Sequence, residues 1–224
     1  MHKNLLVVLM SLPLLFTGIA SAQSGKNSGP DVILGTLHKV DNAKAGLAYV
    51  DPNADFSLYT KIMLDPLNVD NVEIVQPSRS SAARRNDWVL SDSDKEKLQK
   101  NFMEVFTREL QETGDYEIVT TPGPDVLRIT SSLTGIAPNA AKYDSRSRAM
   151  GRTRVYSSGA GSMSIAFGFT DSDSGEILGI VKDSRSGTPM WGVNNSVSNM
   201  GDVRFMFGRW ARMIRARLDI VHGY

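Results

Sequence analysis

Three features of the sequence predict an α+β domain: a mainly antiparallel sheet of about five strands with two amphipathic helices packed on one face. Leu98, Phe102, Val105, Phe106 and Leu110 recur at helical spacing, as do Val203, Phe207, Trp210, Ile214, Leu218 and Val221. Between these stripes Met163, Ile165, Phe167 and Phe169 alternate with Ser162, Ser164, Ala166 and Gly168, the period of a half-buried strand. The order of elements is strand, helix, about four strands largely joined by hairpins, then helix, with no internal repeat, so helices and strands are segregated.

Met1-His2-Lys3, the apolar run Asn4 to Ala20 and the small residues Ala20-Ser21-Ala22 read as a secretory signal peptide cleaved after Ala22. Pro13 and Gly18 interrupt the run, which lacks the continuous apolar length of a membrane span, and no transmembrane segment is expected in the mature chain. Residues 23–44 are rich in Gly, Ser, Asn and Lys and read as a flexible or loosely docked arm, leaving 45–224 as one domain.

Asp51-Pro52-Asn53-Ala54-Asp55 is a turn cluster. Tyr59 to Leu64 reads as a strand ended by Asp65-Pro66, and Val72 to Val75 extends or follows it. Ser93 with Glu96 has the spacing of a capping box at the start of the first helix, which Gly114 closes. Tyr116 to Val119 and Val126 to Ile136 are strands; in the second, Leu127, Ile129 and Leu133 oppose Arg128, Thr130 and Ser132. Asp171 to Glu176 turns one strand into the next, Ile177 to Asp183, and Asp202 is placed to cap the last helix. Trp210 lies on that helix's apolar stripe and is assigned to the core, whereas Trp191 beside Gly192 is the better surface candidate.

Composition removes several chemistries. The chain carries 25 Lys+Arg and 24 Asp+Glu; loss of Lys3 with the leader leaves 24 of each, so no overall field attracts nucleic acid or an anionic membrane. Cysteine is absent, which excludes disulfides, thiolate nucleophiles, Cys-ligated metals and lipidation at an N-terminal cysteine. Beyond the leader only His38 and His222 remain, read as solvated, so a histidine metal site or a Ser-His-Asp arrangement is not expected. No cofactor is expected, and no phosphate loop, dinucleotide fingerprint or nucleophile elbow is present in its required context.

Two stretches concentrate positive charge. Arg79, Arg84 and Arg85 fall in one polar loop, and Lys142, Arg146, Arg148, Arg152 and Arg154 fall in another against the single acid Asp144. These eight residues are the candidate surface for an anionic partner, either an unidentified envelope protein or an anionic surface, though a solvated loop would have the same composition. Basic residues without interleaved aromatics do not point to nucleic acid. The arginines of the last helix, Arg204, Arg209, Arg212, Arg215 and Arg217, read as cations on a solvated face near a negative dipole end. Asp171, Asp173 and Gly175 have the opening spacing of a calcium loop, but Lys182 stands where the closing glutamate belongs, and a hairpin turn accounts for them. Asp51, Asp55, Asp65 and Asp125 could serve as paired carboxylates, yet each sits beside proline or in a turn where Asp has a local backbone role.

Asp51-Pro52-Asn53-Ala54-Asp55-Phe56-Ser57 with Tyr59, Leu64-Asp65-Pro66, Pro122-Gly123-Pro124-Asp125-Val126-Leu127-Arg128, Gly161-Ser162-Met163-Ser164, Asp171-Ser172 with Ser174-Gly175-Glu176, and Trp210 with Arg215 and Arg217-Leu218-Asp219 resemble the bacterial domain of unknown function family 3313, from about Gly46 to Asp219. That resemblance implies an envelope protein, often a lipoprotein, and supplies no catalytic residues. Ala20-Ser21-Ala22-Gln23 stands where a lipidated member has its cysteine, so the expectation is a soluble periplasmic protein, either free or peripheral to the envelope membrane. The expected role is a non-catalytic binding or accessory (adaptor) protein. The alternatives are a periplasmic carrier of a small or lipidic ligand and a carboxylate hydrolase. A large apolar cavity would favour the carrier, paired carboxyls in a cleft the hydrolase, and a filled core with both basic loops on one face the adaptor.

Overall fold

The computed structural model describes residues 29–41, 43–77, 88–112, 116–139, 156–189, 191–193 and 196–224. The expected signal peptide with its expected cleavage after Ala22, and Gly114, lie outside the described residues. The architecture is the expected α+β type, on a wider sheet. In chain order the strands are β1 (Val32–Ile33), β2 (Leu37–Lys39), β3 (Leu47–Val50), β4 (Lys61–Leu64), β5 (Glu73–Ile74), β6 (Glu117–Ile118), β7 (Val126–Pro138), β8 (Tyr156–Ser158), β9 (Gly161–Asp171), β10 (Ile177–Ser186) and β11 (Trp191–Val193). Helix α1 spans Asp92–Thr107 and continues as a π-helical turn, Arg108–Glu112; α2 spans Ser196–His222.

Nine strands form one sheet in the order β1-β2-β3-β10-β9-β7-β4-β6, with β5 also on β7; β8 and β11 make a separate ribbon. The count exceeds five because short edge strands with no clear alternation join in. Leu37, inside the segment read as an arm, is fully buried, and the hydroxyl of Tyr49 donates to the Pro30 carbonyl at 2.9 Å. Most pairings are antiparallel, but β4 runs parallel to β6 and β7, and β5 parallel to β7. Parallel neighbours need a crossover, and α1 supplies it between β5 and β6.

Ser91, not Ser93, caps α1. Its hydroxyl accepts from the Asp94 amide while Asp94 reaches back to the Ser91 amide, a reciprocal box two residues earlier than the sequence spacing suggests. All five residues of the α1 stripe are buried, as are Phe207, Trp210, Ile214 and Leu218 of α2. The helices meet through Phe102 and Phe207, edge to face at 5.5 Å, and Phe106 continues the contact to Phe167 on β9 at 5.8 Å. Three of the arginines assigned to a solvated face instead tie α2 to α1 and its π turn. Arg204 pairs with Glu104 at 3.3 Å, and Arg212 and Arg215 pair with Glu109, whose burial needs compensating charge.

Asp202 does not cap α2, which begins six residues earlier. Its carboxylate accepts from the amides of Ala160 and Thr188 at 2.7 and 3.0 Å, fastening the start of β9 and the end of β10 to the helix. Gly187 makes room for it: a Cβ there would stand 2.7 Å from the carboxylate. His222 is half-buried rather than solvated, edge-on to Tyr116 and stacked on Tyr224.

One buried carboxylate organises the centre. Asp183 on β10 is 8% exposed. It accepts from the indole of the fully buried Trp210 at 2.9 Å, from the Arg185 guanidinium at 2.5 Å and from the Gly46 amide at 2.9 Å. A buried carboxylate is tolerable only with such a set of donors. Asp183→Ala strands all three, and the expected cost is about 3 kcal/mol, read as a lower urea midpoint; Arg128→Ala, which breaks the exposed pair to Asp65, costs less than about 1 kcal/mol.

Candidate functional site

Eight strands in a row span roughly 34 Å, whereas two helices side by side cover about 20 Å. α1 and the N-terminal part of α2 fill the β4-β7-β9 side with aromatic and leucine side chains, leaving β3 and β10 with only the end of α2 above them. Cross-strand register sets what lies there. Val50 faces Gly179, which faces Phe169, and Ala48 faces Val181. Two of these floor positions are Ala and Gly, so the layer is not filled. The result is an open trough of about 540 Å³. Its roof is Met213, Ile214, Leu218, Ile220 and Val221 of α2; Phe56 lies on one side and Val40, Asp41, Ala43, Lys44 and Ala45 on the other. Ile220 and Val221 are exposed.

One end of the trough is basic. A second cleft, about 410 Å³, shares Lys44, Met213, Arg217 and Ile220 with it and adds Arg185, Arg209 and Arg212. Arg185 is engaged by Asp183 and Arg212 by Glu109. Among the described residues no carboxylate lies within 4 Å of Lys44, Arg209 or Arg217. Arg209 rests 5.8 Å from the Phe205 ring centroid. Among the described residues Asp41 is the one acidic side chain lining the trough.

The trough was missed in the sequence because Gly179 and Val181 of its floor were read only as strand, and Ala48 and Val50 beside them were assigned to no element. Its signal is a second stripe on α2, with Arg209, Met213, Ala216, Arg217 and Ile220 recurring at helical spacing beside the core stripe. All eight loop cations, Arg79, Arg84, Arg85, Lys142, Arg146, Arg148, Arg152 and Arg154, lie outside the described residues, as 78–87 and 140–155 do. Their stems are described. Gln76 exchanges two hydrogen bonds with the Trp88 backbone, Asn139 donates to Ala160, and β5 runs parallel to β7, so both stretches leave the same end of the sheet.

The four sequence-candidate carboxylates hold local structure. Asp51 accepts from the Asn53 amide, and Asp55 caps the 3-10 turn Phe56–Leu58 through Ser57. Asp65 grips Arg128 in a two-pronged pair, and Asp125 pairs with Lys61 at 3.0 Å. The Ser57 hydroxyl and amide hold Asp55 below its ordinary pKa, and Lys61 does so for Asp125. Among the described residues no group of three or more acidic or histidine side chains could hold a metal ion. Asp171 is a hairpin residue: its carboxylate accepts from the amides of Asp173 and Ser174 and from the Tyr59 hydroxyl, with Gly175 at φ +74°. No described helix is long and apolar enough to cross a membrane.

The profile of the family described as "Protein of unknown function (DUF3313)" matches residues 34–214, and the chain belongs to this family. No curated protein matches. Among solved structures the chain is similar to a PelC dodecamer from Paraburkholderia phytofirmans (8% identity, TM-score 0.34, 71% of this chain and 89% of that one). It is also similar to protein XCC0632 of Xanthomonas campestris, of family DUF330 (7%, 0.38, 71% and 87%). A candidate lipoprotein of Caulobacter crescentus also matches (11%, 0.32, 76% and 95%). These likenesses are remote.

Tyr59 clasps the β9-β10 hairpin, and its phenol is pushed up to about 12, first by burial and then by the bond to Asp171. It stays neutral in the folded protein where free tyrosine ionises near about 10. Its contribution is therefore intact below pH ~10 and is lost as the pH rises toward 12. Tyr116, raised by burial and Asp219, acts in the same direction. Urea midpoints measured at several pH values above and below 10 should fall on the alkaline side, and Tyr59→Phe should flatten that fall while lowering stability at neutral pH by about 1.5 kcal/mol.

Proposed function

We propose that this member of the DUF3313 family is a non-catalytic binding or accessory protein of the bacterial envelope, exported to the periplasm by its leader. The observation that carries the reading is the open trough, an unfilled apolar surface joined to Lys44, Arg209 and Arg217, which have no carboxylate within 4 Å among the described residues. A preformed concave apolar site with a few charged groups is the usual form of a binding site. The candidate carboxylates, by contrast, are occupied by turn amides, Lys61 and Arg128. The core beneath the helical stripes is filled, and the trough lies beside it. An adaptor that also engages a partner protein is favoured by a separate observation, the common end of the sheet from which the two basic stretches depart.

Cells expressing a C-terminally tagged chain are cross-linked, and complexes are recovered from periplasmic and membrane fractions for mass spectrometry. The expected result is a periplasmic chain with a reproducible envelope partner, whose yield falls at least severalfold when Arg146, Arg148, Arg152 and Arg154 are replaced by serine. A cytoplasmic chain contradicts the export reading, and a periplasmic chain without any partner contradicts the adaptor.

A further inference from the structure

We infer that the trough and its basic mouth form a single site for a freely dispersed anionic amphiphile, one aliphatic chain ending in an anionic head group. The inference rests on the binding reading above and specifies its ligand.

Both parts of such a molecule have a counterpart. The floor and roof are apolar, and among the described residues no buried side-chain donor in the lining lacks a partner, so they suit a chain that brings no hydrogen-bonding groups. The volume, about 540 Å³, falls in the range of small-molecule sites, about 300–1,000 Å³. At the mouth, Lys44 and Arg217 border both the apolar trough and the basic cleft, where a head group would emerge from the trough. Arg209 stands in the same cleft and, like these two, has no carboxylate within 4 Å among the described residues. A carboxylate or phosphate there would gain charge-assisted hydrogen bonds from guanidinium groups already fixed on a helix. A neutral lipid would leave those cations unused, and a free inorganic anion would leave the apolar trough wet. The amphiphile satisfies both halves.

The floor has a further consequence. Gly179 adds no side chain to the floor, and a Cβ there would stand 3.1 Å from the Tyr49 carbonyl and 3.6 Å from the Val50 side chain, so a larger residue would crowd the lining. The site therefore combines a sheet register that keeps small residues in line with a helix that carries its charges just beyond the apolar stretch.

Purified full-length protein is titrated with 11-(dansylamino)undecanoic acid, with dansyl fluorescence as the readout and hexadecanoate, hexadecyl phosphate, hexadecanol and inorganic phosphate as competitors. Saturable binding is expected, displaced by both anionic chains, at least tenfold less well by hexadecanol and not by phosphate. Lys44→Glu with Arg217→Glu should weaken the anionic chains at least tenfold and leave hexadecanol unchanged. Ile220→Asp with Val221→Asp should weaken all chain-bearing competitors, and Arg204→Glu, away from the trough, none. These side chains are exposed, so the variants fold, which circular dichroism checks. Absence of saturable binding, or binding indifferent to both trough variants, overturns the inference. So does association only with phosphatidylglycerol vesicles and not with the dispersed chain, which would assign a lipid surface instead. If the trough fails these tests while an envelope partner is still captured by cross-linking, the inference falls and the binding reading stands; if both fail, the reading falls too.

Discussion

The Asp183 carboxylate joins the two halves of the molecule. It lies on the helix-facing side of β10, where a charge is costly, and is held by the Trp210 indole from α2, the Arg185 guanidinium from its own strand and the Gly46 amide at the entry to β3. Each donor comes from a different neighbour, so the bond set fixes at once how far α2 sits from the sheet and where β3 begins. Beyond this point toward the helix C-terminus the space between the layers is no longer filled. The same strand face continues as Val181 and Gly179 beneath the trough and, in the other direction, as Arg185 at the basic mouth.

Much of this was legible in the sequence where the pattern was long. Both helical stripes, the alternation of β9, the faces of β7 and the Asp171 hairpin have enough repeats to stand out, and all are present. The first three strands were not legible: β1, β2 and β3 have two to four residues each, and β3 joins the main sheet only through β10, far away in sequence, whereas the equally short β5 and β6 fall within the strands expected at Val72 to Val75 and Tyr116 to Val119. Ser91 and Ser93 each stand three residues before a carboxylate, Asp94 and Glu96, and only the backbone path decides which one caps. Asp202 has the composition of a cap, but its carboxylate is taken by the Ala160 and Thr188 amides, a use that no local pattern encodes.

The trough was harder still, because it is defined by what the register leaves out. Ala48, Val50, Gly179 and Val181 are ordinary strand residues, and their meaning arises only when cross-strand pairing sets small beside small under a helix that ends in Ile220 and Val221. The arginines of α2 divide by neighbour. Arg204, Arg212 and Arg215 reach carboxylates on α1 and its π turn, whereas Arg209 and Arg217 turn toward the cleft. One helix thus both seals the core through ion pairs and presents charge at the edge of an apolar surface, linking the packing of the fold to the binding chemistry it offers.

The claim that Asp183 holds this arrangement is tested most directly by residue-resolved amide hydrogen exchange on the native protein and on Asp183→Asn. The account predicts faster exchange confined to the Gly46 end of β3, the middle of β10 and the turns of α2 around Trp210, with α1, β4 and β7 unchanged. Exchange that rises equally over both halves, or that changes around α1 and not at Gly46, would contradict it.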